Sequence, residues 1–246
     1  MALFETQHLH KRFGRQVVLE EVNFAFEEGQ LSGIMGPNGA GKTTCFNVLT
    51  GRFKPDRGRV TFAGSDITGM APREIAARGV ARSFQAMNLF DDFSALLNVT
   101  LALPTVRARN YDLLGNLTRK EHEADARDVL GRVGLRDKTD VLAKNLAYGD
   151  RRRLDIAVAL AQNPKILFLD EPTAGLSADA VVQLTALLRD LKRTLTIVLI
   201  EHNMAFLFAL ADRVSVMHWG QIIAEGTPAA LREDKWVRAS NLGSLA

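Results

Sequence analysis

The pattern of hydrophobic and polar positions begins with a β-rich stretch. Residues 3–29 are rich in β-branched and aromatic side chains and alternate in places between apolar and polar positions, as half-buried strands do. A short apolar run at 31–35 leads into a glycine-rich loop, and a helix is expected at 42–50. Residues 58–64 read as a further strand bounded by glycines. The first part of the chain therefore predicts a β flank beside a strand–loop–helix unit.

Helical periodicity dominates the middle of the chain. Residues 119–133 place apolar side chains three and four positions apart among many charges. Residues 150–161 do the same, and the apolar residues on one face of that helix are Leu154, Ala157, Val158 and Ala161. This pattern predicts a helical subdomain over residues 86–162.

The last third of the chain alternates short apolar runs with helical segments. Residues 166–169 are all apolar, which is typical of a central strand in a parallel sheet. A helix at 178–191 and a strand at 196–200 then complete a βαβ unit. The pattern indicates the α/β class.

Two further strands and a helix close the chain. The strands are expected at 214–217 and 221–224, and Thr227 would cap a final helix with Pro228 at its first position. We therefore predict one domain over residues 1–246. Its core and β flank would comprise residues 1–85 and 163–246, with the helical subdomain at 86–162 inserted between them.

Composition and charge narrow the function classes. The 31 basic and 28 acidic residues give a net charge of +3, and because the basic residues are scattered we expect no nucleic-acid partner. A single cysteine, Cys45, cannot form an internal disulfide and is expected to be a small buried residue in a reducing compartment. The beginning of the sequence lacks the apolar core of a signal peptide, and no apolar run is long enough to span a bilayer. Any role at a membrane would therefore need a partner.

The strongest chemical signal is a phosphate-binding loop. Residues 36–43 fit G-x-x-x-x-G-K-[ST] and lie between a predicted strand and a predicted helix, which is the context that this motif requires. Backbone N–H groups and the helix N-terminus would surround the phosphates, Lys42 would reach the β- and γ-phosphates, and Thr43 would offer its hydroxyl to Mg²⁺. The residues predicted to bind ATP in this segment are Gly36, Pro37, Asn38, Gly39, Ala40, Gly41, Lys42, Thr43 and Thr44.

A second signal follows the apolar strand at 166–169. Asp170 and Glu171 stand at its carboxyl end, the edge at which ligands bind in open α/β sheets. Asp170 would hold the magnesium ion, usually through a water molecule as in P-loop enzymes, and Glu171 would polarise the attacking water. Two acids after an apolar run are common, but downstream of a phosphate-binding loop they indicate a nucleotide hydrolase.

With these motifs in place, nearly the whole chain resembles an ATP-binding subunit of an ABC transporter. The resemblance implies a P-loop NTPase fold with a RecA-like core sheet, an antiparallel β flank and a helical subdomain, and it implies ATP and Mg²⁺ as ligands. It further implies that Phe13 stacks on adenine, although an ordinary core position is the alternative. By the same resemblance, Gln85 senses the magnesium ion and the attacking water, and His202 contacts the γ-phosphate. The implied catalytic residues are thus Glu171, His202 and Gln85, and the implied metal-binding residues are Thr43, Gln85 and Asp170.

The signature motif departs from the family pattern Leu-Ser-Gly-Gly-Gln. This sequence has Leu146, Ala147, Tyr148, Gly149 and Asp150 in its place. In the family, this motif completes the ATP site of a second cassette, so the missing serine hydroxyl and the added carboxylate would weaken that site. We expect the charge of Asp150 to repel a triphosphate. The sequence therefore favours pairing with a second, different ATPase subunit, while a homodimer with two weaker sites remains the alternative. Ser177 also stands where the family usually has aspartate.

Short segments resemble one branch of the family, the ATPases of branched-chain amino acid importers. They are residues 79–85, 88–90, 201–204 and 223–228, together with Tyr148. The resemblance implies permease subunits in the membrane, an indirectly coupled periplasmic or extracellular solute-binding protein, and a peripheral position on the cytoplasmic face of the inner (plasma) membrane. The solute would be a branched-chain amino acid or a related amide or acid.

Other functions remain open at this point. The ATPase of lipopolysaccharide export shares the same sequence type, and a soluble ABC protein that does not transport is a further alternative. A P-loop kinase would also use Lys42 and Thr43. The set formed by Gln85, the signature position and His202 argues against a kinase.

Overall fold

The computed structural model describes residues 2–83, 87–107 and 120–234, which form two sheets with helices packed around them. Residues 2–83 contain β1 (Ala2–Phe13), β2 (Gln16–Glu27), β3 (Leu31–Met35), α1 (Lys42–Leu49), β4 (Arg57–Phe62), β5 (Ser65–Asp66), α2 (Pro72–Ala77) and β6 (Val80–Ser83). The helical middle contributes α3 (Ala95–Thr100), α4 (Pro104–Arg107), α5 (Lys120–Arg132) and α6 (Tyr148–Leu160). The remaining elements are β7 (Ile166–Asp170), α7 (Ala178–Leu191), β8 (Thr196–Ile200), α8 (Met204–Leu210), β9 (Arg213–His218), β10 (Gln221–Gly226) and α9 (Pro228–Glu233).

The larger sheet has the strand order β10-β9-β3-β8-β7-β6. Strand β3 runs parallel to both β8 and β9, and β7 runs parallel to both β6 and β8, while β10 pairs antiparallel with β9. Every residue of β3, β7 and β8 is buried, as the continuous apolar runs predicted. The carboxyl ends of these three parallel strands therefore lie side by side along one edge of the sheet.

The smaller sheet is antiparallel, with the order β2-β1-β4-β5. Its inner face is aromatic and packs against the larger sheet, since the ring of Phe4 lies 5.3 Å from that of Phe168 on β7 and the ring of Phe46 on α1 lies 5.1 Å from Phe168. These edge-to-face contacts place α1 and the antiparallel sheet on the same side of β7. The predicted β flank is confirmed, and it supports the helix that follows the glycine-rich loop.

Alternate residues of the central strands serve two different cores. Phe168 belongs to the core shared with α1 and the antiparallel sheet, whereas Leu167 and Leu169 belong to the core shared with the helices of the middle segment. Helix α6 buries Leu154 and Ala157 in that second core, as its predicted apolar face required. This alternation explains why the central strands read as uninterrupted apolar runs.

Most of the expected elements are present, with small differences at their ends. Helix α6 begins at Tyr148, two residues before the expected start, and Thr227 caps α9 by accepting a hydrogen bond from Ala230 N at 3.3 Å. The short elements β5 and α2 were not predicted. No helix within the three described ranges combines the length and the hydrophobicity needed to cross a bilayer.

Candidate active site

The loop between β3 and α1 approaches the rest of the protein so closely that glycine is required. A Cβ added to Gly36 would lie 2.1 Å from the carbonyl oxygen of Met217 on β9. Gly41 has φ 99°, and a Cβ there would lie 2.7 Å from the carbonyl oxygen of Val18 on β2. The backbone N–H of Gly220 donates to Ala40 O at 2.9 Å, so the β9–β10 turn braces the same loop. The loop is therefore held between two strands, as a rigid phosphate cradle needs to be.

Lys42 is folded back onto its own loop. Its Nζ donates to Gly36 O at 2.8 Å and to Pro37 O at 2.9 Å, and the residue is only 6% exposed. Burial lowers the pKa of Lys42, and the nearby carboxylates of Glu171 and Asp170 oppose part of that shift. The ammonium group thus lies at the mouth of the loop and within the electrostatic reach of both acids.

Thr43 begins the exposed side of this site. It lies in the first turn of α1, and its side chain lines a cavity of ≈ 610 Å³ together with Asn47, Arg82 and Asp170. Because β3 and β7 end at the same edge, the helix start and the end of β7 meet in this cavity. The structure therefore brings Thr43 and Asp170 together, as the sequence predicted.

Asp170 is buried and has one oxygen bound and one unbound. Arg82 Nη2 donates to its Oδ2 at 2.9 Å, whereas Oδ1 has no hydrogen-bond partner among the described residues. Burial raises the pKa of Asp170, and the adjacent guanidinium of Arg82 opposes that shift. Burying a carboxylate oxygen without a hydrogen-bond partner costs free energy, so this oxygen is suited to act as a ligand for a cation.

Glu171 and His202 form a pair at the ends of neighbouring strands. Glu171 follows β7, His202 follows β8, and Glu171 Oε1 lies 2.7 Å from His202 Nε2. Glu171 has φ 48°, a left-handed conformation that is uncommon for a residue with a side chain, and its N–H donates to Ile200 O at 2.9 Å. The turn therefore directs Glu171 towards His202, although the two residues are 31 positions apart.

Glu201 fixes the backbone around this pair. It is 2% exposed, and its Oε1 accepts hydrogen bonds from the N–H of Thr173 at 2.9 Å and from its hydroxyl at 2.7 Å. Its Oε2 accepts from the N–H of His202 at 3.0 Å and from that of Asn203 at 3.2 Å. One buried carboxylate thus ties the segment after β7 to the segment after β8. The sequence motifs predict no role for Glu201, which belongs only to the family-like segment at 201–204.

Phe13 is not a core residue. It is 45% exposed at the end of β1, where its ring packs edge-on against Phe53 at 5.3 Å and Lys11 Nζ lies 5.4 Å from the ring centre. The ordinary core alternative is therefore excluded, and an aromatic face remains accessible beside the β flank. Gln85, the remaining residue predicted for catalysis and metal binding, lies outside the described residues.

The signature segment opens helix α6. Leu146 is buried in the core, Ala147 is the N-cap without a side-chain hydrogen bond, and Gly149 packs so closely on Ala180 of α7 that an added Cβ would lie 3.0 Å from its methyl carbon. The Tyr148 hydroxyl donates to Ala174 O at 3.3 Å. In the described part of the chain, no hydrogen bond or ion pair joins residues 146–150 to residues 36–43. The described partners of the signature segment are instead Lys138, Arg153, Ala174 and Ala180.

The charge of Asp150 is already balanced within the chain. The residue is 5% exposed, and its carboxylate binds the side chains of Lys138 and Arg153. Burial would raise its pKa, but the hydrogen bonds from Lys138 and Arg153 outweigh that effect, and the net shift is downward. The expected repulsion of a triphosphate does not follow, because the carboxylate is turned into the protein and paired with two cations. This leaves Ala147 as the departure that could weaken the signature.

Comparison with known proteins agrees with this geometry. Residues 19–174 match the sequence profile of the family described as ABC transporter. The chain is 38% identical over 251 aligned positions to the high-affinity branched-chain amino acid transport ATP-binding protein BraF of Pseudomonas aeruginosa, covering 98% of each chain. It is 33% identical over 242 positions to the lipopolysaccharide export system ATP-binding protein LptB of Acidithiobacillus ferridurans, covering 98% of this chain and 97% of that one.

A solved structure extends the agreement to the fold. The ADP conformation of MJ1267, an ATP-binding cassette of an ABC transporter, superposes with a TM-score of 0.88 at 30% identity, covering 99% of this chain and 100% of that chain. The family resemblance inferred from the motifs is thereby confirmed. The chain belongs to the ABC transporter family, as one of its ATP-binding and ATP-hydrolysing subunits.

Proposed function

We propose that this subunit hydrolyses MgATP to drive import of a branched-chain amino acid or a related small amide or acid. The proposal that the subunit hydrolyses ATP rests on the 2.7 Å contact between Glu171 Oε1 and His202 Nε2 at the strand edge beside the phosphate-binding loop. The near full-length similarity to BraF supports the choice of solute.

ATP would bind with its phosphates in the loop at residues 36–43 and its adenine against Phe13. Lys42 would exchange its two carbonyl partners for β- and γ-phosphate oxygens. The exposed ring of Phe13 offers a stacking surface at the edge of the β flank. Thr44, in the first turn of α1, would support the same phosphates.

The residues present fit a magnesium ion. Asp170, whose buried Oδ1 is unpartnered among the described residues, and Thr43 line one cavity, and Gln85 would complete the protein ligands. No group of three His, Cys, Asp or Glu side chains suited to a metal occurs in the described ranges, so an ion would share its remaining ligands with the nucleotide and water. When bound, the ion would neutralise charge that develops on the phosphates.

Glu171 would orient the attacking water and accept its proton. His202, held through its backbone by Glu201, would donate from its ring to the γ-phosphate. The contact between the Glu171 and His202 side chains holds the two groups together at the carboxyl edge of the sheet, where we propose that the water and the γ-phosphate meet. Because both follow buried strands, little rearrangement of the core is needed for the reaction.

The composite site would require a second ATPase chain. The described contacts of the signature segment are with Lys138, Arg153, Ala174 and Ala180. We propose that it completes the partner's site while the partner's signature completes this one. We propose that the partner is a different ATPase subunit, because Ala147 cannot donate the hydroxyl hydrogen bond that serine provides. We further propose that the helical subdomain at 86–162 moves relative to the core at 1–85 and 163–246 during this cycle.

Permease subunits would anchor the complex on the cytoplasmic face of the inner (plasma) membrane, and an external solute-binding protein would act on those permeases. The subunit itself would remain peripheral. The similarity to LptB makes lipopolysaccharide export the second candidate function.

The test is to co-express this chain with its genomic neighbours, purify the complex and reconstitute it in liposomes. We expect ATP-dependent uptake of leucine, isoleucine or valine, abolished when Glu171→Gln replaces the parent chain. Counting the ATPase chains by native mass spectrometry should find one copy of this chain beside one different ATPase. ATPase stimulation by lipopolysaccharide and not by amino acids would establish the export alternative, and two copies of this chain would refute the heterodimer.

A further inference from the structure

The side chain of Arg82 is one of the most buried charges in the site and has no role in the mechanism above. It lies on β6, three residues before Gln85, and its side chain is 6% exposed. Burying a guanidinium is costly unless its donors are used. Its contacts therefore indicate what the protein gains from placing it there.

The guanidinium joins three elements. Nη2 donates to Asp170 Oδ2 on β7 at 2.9 Å. Nη1 donates to Asn47 Oδ1 on α1 at 2.7 Å and to the Thr50 hydroxyl at the end of α1 at 3.1 Å. The planar group also lies 5.6 Å from the ring centre of Phe46. Arg82 thus connects the helix that starts in the phosphate-binding loop with the strand that ends in Asp170.

These contacts determine which oxygen of Asp170 remains available. Oδ2 is occupied by Arg82, and the partnerless Oδ1 belongs to the same carboxylate that lines the cavity with Thr43. A carboxylate with one oxygen bound cannot rotate freely about its Cβ–Cγ bond. Its second oxygen is therefore held in one direction before any ligand arrives.

We infer that Arg82 is a positioning residue for magnesium, which acts by holding Asp170 so that Oδ1 is presented to the Mg²⁺ of MgATP. This inference rests on the proposed magnesium site. The forked geometry matters as well as the charge, because one planar group reaches Asp170 with one nitrogen and α1 with the other. A lysine would bring the same charge but no fork.

The experiment is isothermal titration of the purified chain with ATP, once with excess Mg²⁺ and once with EDTA. The dissociation constant for ATP in EDTA divided by that in Mg²⁺ measures how much the ion contributes to binding. We expect Arg82→Met to reduce that ratio about 10- to 100-fold, the usual effect of losing a group that orients a metal ligand. Arg82→Lys should fold even if the methionine variant does not, and it too should reduce the ratio.

A double-mutant cycle tests whether the effect passes through Asp170. In an Asp170→Asn background, Arg82→Met should cause no further change in the ratio. A merely structural role would instead weaken ATP binding equally with Mg²⁺ and with EDTA. The matched control is Arg213→Met, which removes another arginine–carboxylate pair, with Glu225 at 2.6 Å, on β9 and β10.

Different results would overturn the magnesium site and the role of Arg82. If the parent binds ATP equally with Mg²⁺ and with EDTA, the magnesium site itself is refuted. If Mg²⁺ strengthens ATP binding to the parent, and strengthens it equally in Arg82→Met or Arg82→Lys, only the role of Arg82 is overturned. An additive effect of Arg82→Met in the Asp170→Asn background would likewise overturn it.

Discussion

Single side chains at the strand edge are held by partners from other elements. Lys42 is bound by its own loop, Asp170 by Arg82 on β6, and Glu171 by His202 after β8. We propose that all three charges serve ATP hydrolysis. Asp170 and Glu171 are oriented before a nucleotide arrives, whereas Lys42 would first have to leave the carbonyl oxygens of Gly36 and Pro37. Preorganised charges of this kind are effective in catalysis because they need not reorganise during the reaction.

Lys42→Ala should largely abolish nucleotide binding. The loop would lose its one mobile positive charge, and backbone N–H groups alone would have to hold a triphosphate. Isothermal titration with ATP measures the effect. Lys144→Ala is the control, since it removes an exposed lysine that pairs with Asp92, and equal ATP affinity in the Lys42 variant and the parent would contradict the assignment.

Glu171→Gln should bind ATP like the parent but hydrolyse it about 10²–10⁴-fold more slowly. The amide keeps the size of the side chain and can still contact His202, but it cannot accept a proton from water. Phosphate release under saturating ATP is the measurement. Turnover within about twofold of the parent would remove Glu171 from the role of base.

The sequence predicted the site residues that belong to local motifs and missed those that act through distant contacts. The loop at 36–43, Asp170 and Glu171 follow from motif spacing and strand ends, whereas His202 was assigned through the family resemblance. Arg82 and Glu201 received no role, because their partners lie 88 and 28 positions away and no local pattern marks such pairs. The pairing of Asp150 was missed only partly for this reason. Lys138 lies 12 positions away, but Arg153 is three positions away on α6, a spacing that the sequence does show.

At the scale of elements, the signature helix α6 is tied to strand β6. The Ser83 hydroxyl donates to Asp155 Oδ2, and the backbone N–H of Asn88 donates to the same carboxylate. Burial raises the pKa of Asp155, and these donors together with Arg152 oppose the shift. Asp155 on α6 therefore binds residues on both sides of the segment that carries Gln85.

Asp155→Leu should destabilise the protein by about 1–3 kcal/mol for each donor left unpaired. Leucine has the same number and branching of side-chain heavy atoms but cannot accept hydrogen bonds from Ser83 or Asn88. Urea unfolding of the isolated chain measures the change. The control is Asp190→Leu, whose carboxylate is 72% exposed and 3.8 Å from Arg193, and which should cost far less; equal losses in the two variants would argue against a buried tie.

Long periodic segments were predicted well, and short ones were not. The helix at 178–191 and the buried strands agree with the expectation because their apolar pattern extends over several turns or a whole strand. Strand β5 has two residues and α2 has six, so neither carries enough pattern to be recognised. Tyr148 starts α6 early because Ala147 takes the N-cap position, where no capping side chain marks the boundary.

At the scale of the whole molecule, the phosphate-binding loop and the signature segment pack against different elements. The phosphate-binding loop lies between β2 and β9, while the signature segment packs on Ala174 and Ala180 after β7. A second cassette arranged head to tail would bring the missing half to each surface. Association should therefore depend on ATP and on which second chain is present.

The Glu171→Gln chain is expected to bind ATP without hydrolysing it quickly. It should stay monomeric alone and form a dimer only with the proposed second, different ATPase subunit. Ala147 offers no side-chain donor, and a hydrogen bond to a charged group typically contributes about 1.5–3 kcal/mol. Sedimentation velocity with MgATP, for each chain and for the mixture, measures the assembly. A tight ATP-dependent homodimer of this chain would show that its own signature suffices.

The carbonyl oxygens of the phosphate-binding loop and the phosphates of a nucleotide would compete for the ammonium group of Lys42. The ammonium group already has two good acceptors in the carbonyl oxygens of Gly36 and Pro37, so a nucleotide gains from it only by offering better ones. A β- or γ-phosphate can do so because a hydrogen bond between an ammonium and an anionic oxygen is stronger than one from the same ammonium to a neutral carbonyl. AMP, which lacks both groups, would leave the lysine where it is. Discrimination between nucleotides at this site would then arise from an exchange of partners, and the shape of the pocket need not reject the smaller molecule.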